Sequence, residues 1–352
     1  MTVLEECELF KALQKQIVED RHFIKNLKKH VFENLCLTRD PETFHGCQPV
    51  SFLKEHASLL LKSDYYVCEK SDGIRYLLYF CQPPGLGLCC FLIDRNYNLI
   101  HIANSYLLSR SIDSETRRPF FQTETILDGE LIVENGEQRT SKLVFLIFDC
   151  LMIEGENLCS LNLTLRQKAV QNRVILPNQN YSGVFELRQK EMAKPYALSL
   201  IFDKIQRQKH ENDGLIFTPV YEPYSSGTSP KLLKWKPPEL NSIDFSLGNF
   251  DSDNNVWQLL VKGERGLEYY SELKSPENAL FIKNARTGMI VECSLVDNNW
   301  SFLRFRSDKE SPNHIGVVKN IQKSIREGLT KEDLICLEKD IRSSWHFRNQ
   351  AR

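Results

Sequence analysis

The sequence has no Cys-x-x-Cys pair, no apolar run approaching a membrane span, no internal repeat and no low-complexity tract. Without cysteines at ligand spacing, structural zinc is disfavoured, and an odd count of 11 cysteines scattered through the chain makes no disulfide framework. Strings such as Leu88-Cys89-Cys90-Phe91 read instead as small buried hydrophobes. The longest apolar stretches, 86–93 and 143–148, fall far short of the ~20 residues that cross a bilayer, so no transmembrane helix or membrane partner is expected. Met1-Thr2-Val3-Leu4-Glu5-Glu6 lacks both the basic, apolar start of a secretory signal and the arginine bias of a transit peptide, which points to the nucleocytoplasmic space. Excess charge is missing too. The 45 Lys and Arg against 46 Asp and Glu leave a formal charge of -1, unlike a protein that coats long nucleic acid. A local basic site remains open.

What is present is the composition of a well-packed soluble protein, 41% hydrophobic and 26% charged, over 352 residues, a length that favours two domains. Apolar positions at Leu9, Leu13, Ile17, Ile24, Leu27 and Val31 line one face of a single helix over 9–35. A short helix over 52–62 precedes strands at 65–69, 74–81, 88–93 and 98–102, read as one antiparallel meander. Strands at 126–133 and 143–153 flank the turn signal Asn135-Gly136. Helix and strand then alternate: helices near 165–174 and 196–209, strands near 184–190 and 215–218. Pro237-Pro238 marks a domain junction, because proline fixes φ and removes a donor. Beyond it, short strands at 256–261, 288–295 and 302–305 fit a small barrel, and Thr330-Lys331-Glu332-Asp333 opens a terminal helix with a capping-box pattern. The division expected is 1–239, 240–325 and a C-terminal helical segment 326–352 that packs back on the first domain.

The most informative string is Glu69-Lys70-Ser71-Asp72-Gly73-Ile74-Arg75, which fits Lys-x-Asp-Gly-x-Arg between two strands. At about 5% per fixed residue, four fixed positions arise by chance in roughly 0.2% of chains this long. Alone, the string is no better than a charged β-turn. Others follow it in order: Asp128-Gly129-Glu130 inside an apolar strand, Phe148-Asp149 ending another, Asp213-Gly214-Leu215-Ile216-Phe217 before a third, Lys234-Trp235-Lys236, and Arg304-Phe305-Arg306-Ser307-Asp308-Lys309. Strand alternation sends Lys234 and Lys236 to one face, where they repel unless an anion lies between them.

Together with Gln48-Pro49-Val50-Ser51, these strings resemble the covalent nucleotidyltransferase superfamily, in the form of the messenger RNA capping guanylyltransferases of fungi and large DNA viruses. The resemblance runs from Gln48 to Lys309, without an N-terminal cysteine-phosphatase domain. It implies an α+β fold: a nucleotidyltransferase domain of antiparallel sheets and helices, then an OB-fold β-barrel. It implies that Lys70 attacks the α-phosphorus of GTP and holds GMP as a phosphoramidate before passing it to a 5'-diphosphate RNA end. Lys234 and Lys236 would then neutralise the α-phosphate. Arg75 and Glu130 would hold the ribose, Phe148 would stack on guanine, and Ser71 with Lys190 would meet its O6 and N7 edge. Asp72 and Arg95 complete the nucleotide site. Asp213 is the carboxylate near the α-phosphate and near a Mg2+ or Mn2+ ion. Arg306, Asp308 and Lys309 would reach the β- and γ-phosphates, with Asp244 at the entrance of their domain. The same resemblance implies a separate RNA 5'-triphosphatase, the RNA polymerase II C-terminal tail as a further partner, and a nuclear location, or a cytoplasmic one if viral. An ATP-dependent polynucleotide ligase and a catalytically inactive RNA-binding module are the competing readings.

Overall fold

The computed structural model describes residues 4, 7–35, 44–135, 141–307 and 309–350. They divide into two compact units: Met1–Val50, Leu59–Lys234 and Asp340–Arg352 in the first, Ser51–Ser58 and Trp235–Lys339 in the second.

The first unit begins with two helices where the apolar spacing had implied one, α1 (Glu8–Gln14) and α2 (Arg21–Asn34). The break has a local cause. β-Branched Ile17 and Val18 are drawn into strand-like pairing, Ile17 with Ile100 and Val18 N–H with Leu99 O, and Asp20 then caps α2 by accepting from His22 and Phe23 N–H. The helix α3 (Ala57–Lys62) follows, and α4 (Leu163–Ala169) and α5 (Leu198–Ile205) come later in the chain.

Its strands are β1 (Cys47–Ser51), β2 (Tyr65–Ser71), β3 (Ile74–Cys81), β4 (Cys89–Ile93), β5 (Leu99–His101), β6 (Leu108–Ile112), β7 (Pro119–Phe121), β8 (Thr125–Asn135), β9 (Ser141–Ile153), β10 (Glu156–Asn157), β11 (Glu186–Gln189), β12 (Asn212–Pro219) and β13 (Gly227–Trp235). The expected meander holds only for β3, β4 and β5. β2 leaves it for a four-stranded sheet in the order β1-β13-β12-β2, while β3 joins a seven-stranded sheet in the order β10-β9-β8-β3-β4-β5, with β11 added in parallel to β9. Two residues make this switch. Asp72 N–H bonds Glu211 O, tying the end of β2 to the approach of β12, and Gly73 lies so close to Leu131 O of β8 that an added Cβ would sit 2.4 Å from it. Of the turn signal Asn135-Gly136, Gly136 lies outside the described residues.

β3 is buried from Arg75 to Cys81 because both faces of its sheet are covered. Tyr76, Leu78 and Phe80 pack with Phe10 and Leu13 of α1, whereas Leu77, Tyr79 and Cys81 pack with Leu27 and Val31 of α2. Cys68, Cys81, Cys90 and Cys150 are buried and free, as the sequence implied. The chain re-enters this unit at its end, where Arg348 donates to Asp64 Oδ1 at 2.7 Å.

The second unit is a five-stranded antiparallel sheet of β14 (Ser242–Asp251), β15 (Val256–Lys262), β16 (Leu267–Lys274), β17 (Ile290–Val296) and β18 (Asn299–Phe305), in the order β16-β15-β14-β17-β18. Ile243, Phe245 and Leu247 alternate inward from β14 onto Phe281 of α6 (Ala279–Asn284). No strand pairing joins β16 to β18 among the described residues, so the sheet is not a hydrogen-bonded closed barrel. Helices α7 (Ile315–Glu327) and α8 (Lys331–Cys336) complete the unit, and α8 opens with the capping box expected of Thr330 and Asp333.

Candidate active site

Because the chain changes sheets immediately after Ser71, the end of β2 lies at the seam between the two sheets of the first unit, with Lys70 on its last turn of alternation. The neighbouring strand β12 carries a bulge between Asn212 and Leu215, where Gly214 adopts φ +151°, a conformation that L side chains rarely reach. The bulge aims Asp213 at β2: its Oδ1 accepts from Lys70 Nζ at 2.6 Å, with the two side chains 23% and 26% exposed. A partly exposed amine on a rigid strand, held by one carboxylate, has the geometry of an orientable nucleophile.

A cavity of about 150 Å³ opens beside it, and Lys70, Ser71, Arg75, Arg95, Glu130, Phe148 and Lys190 all line it. At one wall, Lys190 Nζ donates to Ser71 Oγ at 2.8 Å and lies 3.3 Å from Glu69 Oε1, while Ser71 Oγ donates to the same oxygen at 3.1 Å. Burial raises the Glu69 carboxyl, but the Lys190 charge and a His210 hydrogen bond outweigh it and hold the group at about 2. Lys190 is correspondingly pushed upward, its burial outweighed by Glu69. Burial also lifts half-buried Glu130 above the usual carboxylate range, against the pull of Lys190, Lys70 and Arg75.

The floor is a rigid lattice of paired charges. Arg75 makes a two-pronged contact with Asp128, Nε to Oδ1 at 2.8 Å and Nη2 to Oδ2 at 2.6 Å, and Nη1 donates to Cys47 O at 2.6 Å. Its guanidinium lies 5.2 Å from the Phe148 ring centre. Tyr224 Oη donates to Asp128 Oδ2 at 2.5 Å and accepts from Cys47 N–H, so burial and the adjacent carboxylate push the phenol up. Asp149 and Arg166 form a second two-pronged pair, at 2.7 and 2.8 Å. Arg75 therefore enters the site already paired with Asp128, with three of its five N–H groups engaged.

The sequence had not marked Asp128 as a partner of Arg75, nor Tyr224, Arg166, Glu69 or His210 as site residues. Asp128 did stand in a flagged string. Glu69 likewise opened the string around Lys70, whereas Tyr224, Arg166 and His210 carry no local pattern. Asp72 is not brought to the cavity: its side chain is exposed and lines a different depression, with Asn135 and Glu211. Lys234, between buried Leu233 and Trp235, lies on β13 without lining the cavity, and Lys236 follows the end of that strand, in the second unit.

In the second unit, Asp244 gathers the expected phosphate-binding cations. Arg306 Nη1 lies 3.0 Å from Asp244 Oδ1, and Lys309 Nζ lies 2.5 Å from Oδ2. Asp308 lies outside the described residues.

For a divalent ion, no cluster of three His, Cys, Asp or Glu side chains that could hold one occurs among the described residues. A partly exposed carboxylate such as Asp213 does fit an ion shared with substrate phosphates, which takes one or two protein oxygens.

Residues 11–238 match the family model "mRNA capping enzyme, catalytic domain", and residues 240–335 match "mRNA capping enzyme, C-terminal domain". The chain is 34% identical over 362 aligned residues to the mRNA-capping enzyme subunit alpha of Schizosaccharomyces pombe, an alignment covering 95% of this chain and 89% of that protein. It is 31% identical to the Saccharomyces cerevisiae protein of the same name, covering 94% and 86%. Among solved structures, a mycobacterial DNA ligase D complexed with ATP and MES is similar at a TM-score of 0.40 and 16% identity, over 76% of this chain and 94% of that one.

Proposed function

This chain belongs to the mRNA capping enzyme family, and from that premise we propose that the cavity beside Lys70 is its guanylyltransferase site. The protein is a nucleotidyltransferase that moves GMP from GTP to the 5'-diphosphate end of RNA, forming a GpppN cap. The observation that carries the site assignment is the position of Lys70: a strand-held amine at the edge of a cavity that also gathers Ser71, Arg75, Arg95, Glu130, Phe148 and Lys190.

In the first half-reaction, the Lys70 Nζ lone pair attacks the α-phosphorus. A P–N bond forms, the bond to the bridging oxygen breaks, and pyrophosphate leaves with its electron pair. An amine attacks only after losing a proton, and Asp213, 2.6 Å away, orients Nζ and accepts its N–H. Glu130 and Arg95 meet the ribose and the adjoining phosphate, Phe148 supplies a ring for the base, and Arg75 braces that ring. Lys234 and Lys236 neutralise the α-phosphate. Asp213 would hold the divalent ion, Mg2+ or Mn2+, together with phosphate oxygens; when bound, that ion offsets charge on the phosphates. In the second half-reaction, an oxygen of the RNA 5'-diphosphate attacks the same phosphorus, the P–N bond breaks and Lys70 regains its proton. Arg306, Asp308 and Lys309, with Asp244, act on the β- and γ-phosphates, and the Asp72 N–H bond to Glu211 O holds the end of β2 beside the approach of β12.

The partners this reading requires are GTP, diphosphate-ended RNA and a separate RNA 5'-triphosphatase; the RNA polymerase II tail and a nuclear location belong to the same proposal. No helix among the described residues is long and apolar enough to cross a membrane. The test is incubation with α-labelled GTP and Mg2+ or Mn2+, followed by denaturing electrophoresis. A labelled, acid-labile band at the mass of the chain is the expected result. A band formed equally from ATP, or none at all, overturns the reading.

A further inference from the structure

Behind the wall formed by Ser71 and Lys190 lies a second cavity, of about 360 Å³, lined by Glu69, Glu134, Lys190 and His210. Glu69, Lys190 and His210 have side chains only 8%, 5% and 5% exposed. His210 Nε2 lies 3.5 Å from Glu69 Oε1 and 3.4 Å from Ser71 Oγ, and its Nδ1 has no hydrogen-bond partner among the described residues, Glu134 Oε1 lying 3.7 Å away. The nucleotide chemistry assigned above uses neither Glu69 nor His210. Their geometry nonetheless dictates what Ser71 and Lys190 can show to a base.

An ammonium only donates and a carboxylate only accepts. Lys190 therefore cannot take the Ser71 proton, which goes to Glu69 Oε1 at 3.1 Å, and Ser71 Oγ accepts from Lys190 at 2.8 Å. Two of the three Lys190 N–H groups are directed at Ser71 and Glu69, leaving one for the cavity. Toward a ligand the wall thus presents a donor, Lys190, beside an acceptor, the remaining Ser71 lone pair. Guanine carries the matching order, the acceptor O6 beside the donor N1–H. Adenine carries the reverse, a donating amino group beside the acceptor N1. The O6 and N7 pair that the sequence reading favoured offers two acceptors and matches only half of the wall.

We propose that Glu69 and His210 are positioning residues for base selection, fixing Lys190 as donor and Ser71 as acceptor so that the enzyme reads guanine by O6 and N1–H. This rests on the guanylyltransferase reading given above. With Glu69 uncharged, the Ser71 hydroxyl is free to turn and donate, and the wall no longer has a fixed polarity.

The experiment measures adduct formation by the full chain with GTP, inosine triphosphate, 2,6-diaminopurine riboside triphosphate and ATP, each α-labelled. Inosine keeps O6 and N1–H, whereas diaminopurine differs from guanine only in reversing that pair. Wild type is expected to use inosine triphosphate within a few-fold of GTP and the diaminopurine nucleotide at least 100-fold less well. Glu69→Gln should lower that discrimination tenfold or more, through KM for GTP rather than kcat, and His210→Asn should lower it in the same direction by less. A purely structural role would reduce all four nucleotides together and leave the ratio unchanged. That outcome in folded Glu69→Gln, or a wild type that accepts the diaminopurine nucleotide as readily as GTP, overturns the inference. If Glu69→Gln has no cooperative melting transition, His210→Asn decides by the same ratio. A wild type that labels equally with ATP instead overturns the guanylyltransferase reading itself.

Discussion

Two ion pairs border one cavity and differ in nearly every physical respect. Arg75 and Asp128 on the floor are 7% and 0% exposed and joined by two parallel hydrogen bonds, whereas Lys70 and Asp213 at the mouth are about a quarter exposed and share one. Desolvation makes the first pair costly to separate, because either partner left alone is a buried charge without compensation. The second pair has water within reach, so either member can change partners at little cost. The charges that shape the cavity are therefore locked, and those that react are exchangeable. The comparison teaches that a motif's charged residues divide into frame and machinery by burial, not by their order in the string.

The sharpest break of that comparison comes from substituting one member of each pair. Lys70→Ala and Lys70→Arg should each abolish the covalent GMP adduct while leaving the thermal transition within a degree or two, since an arginine keeps the charge but does not deprotonate to attack. Labelling by α-labelled GTP and a melting curve on the same preparation check both halves. Asp128→Asn should do the opposite. It leaves Arg75 buried without its counter-charge and should cost about 3 to 5 kcal/mol of stability, read from the urea midpoint, with activity lost only as folding is lost. A well-folded but inactive Asp128→Asn would move Asp128 from frame to machinery.

A smaller effect sharpens the same line at the base-binding wall. Glu69 is held at about 2 in the folded protein against an ordinary 4.5, so its depressed carboxyl contributes stability that is fully present above the unfolded value and lost as pH falls toward the folded one. The contribution is about 3 kcal/mol. Urea midpoints measured at pH 6, 4 and 3 should converge for wild type and Glu69→Gln as the pH falls. If the gap stays constant over that range, Glu69 is not held by its charge.

How much of this was legible in the sequence follows from the range of each contact. Lys70, Ser71, Arg75, Glu130 and Phe148 sit in short strings, and β-strand geometry carries a string directly into a cavity wall. Lys190 rested only on a strand register, which the parallel pairing of β11 with β9 supports: Gln189 pairs with Ile147 and Lys190 N–H bonds Ile147 O. Asp72 misled, because it belongs to the string while the sheet switch at Gly73 turns its side chain outward. The pairings within the frame were not legible. Arg75 meets Asp128 across 53 residues and Tyr224 meets Asp128 across 96, separations at which neither periodicity nor turn chemistry carries information. The meander failed for the same reason, since only tertiary contacts choose whether β2 pairs with β3 or with β12.

The smallest expected effect tests whether the second unit follows the rule of exchangeable machinery. Asp244 is 6% exposed at its side chain, but its partners Arg306 and Lys309 are 16% and 36% exposed, so this cluster mixes a buried anion with accessible cations. A carboxylate with two cations on its two oxygens resembles the way a phosphate would be held. If Arg306 and Lys309 serve the β- and γ-phosphates, their work ends when pyrophosphate leaves. Arg306→Ala or Lys309→Ala should then slow adduct formation by roughly 10- to 100-fold, the worth of one charged hydrogen bond. Transfer of GMP from preformed adduct to RNA should change by no more than about 2-fold, too little to signal a lost hydrogen bond. The measurement is to label the enzyme, remove pyrophosphate and free GTP, and time the transfer to diphosphate-ended RNA for wild type and variant. Equal slowing of both steps would mean that these cations act on the adduct itself, and the division between a locked frame and exchangeable machinery would have to be redrawn for the second unit.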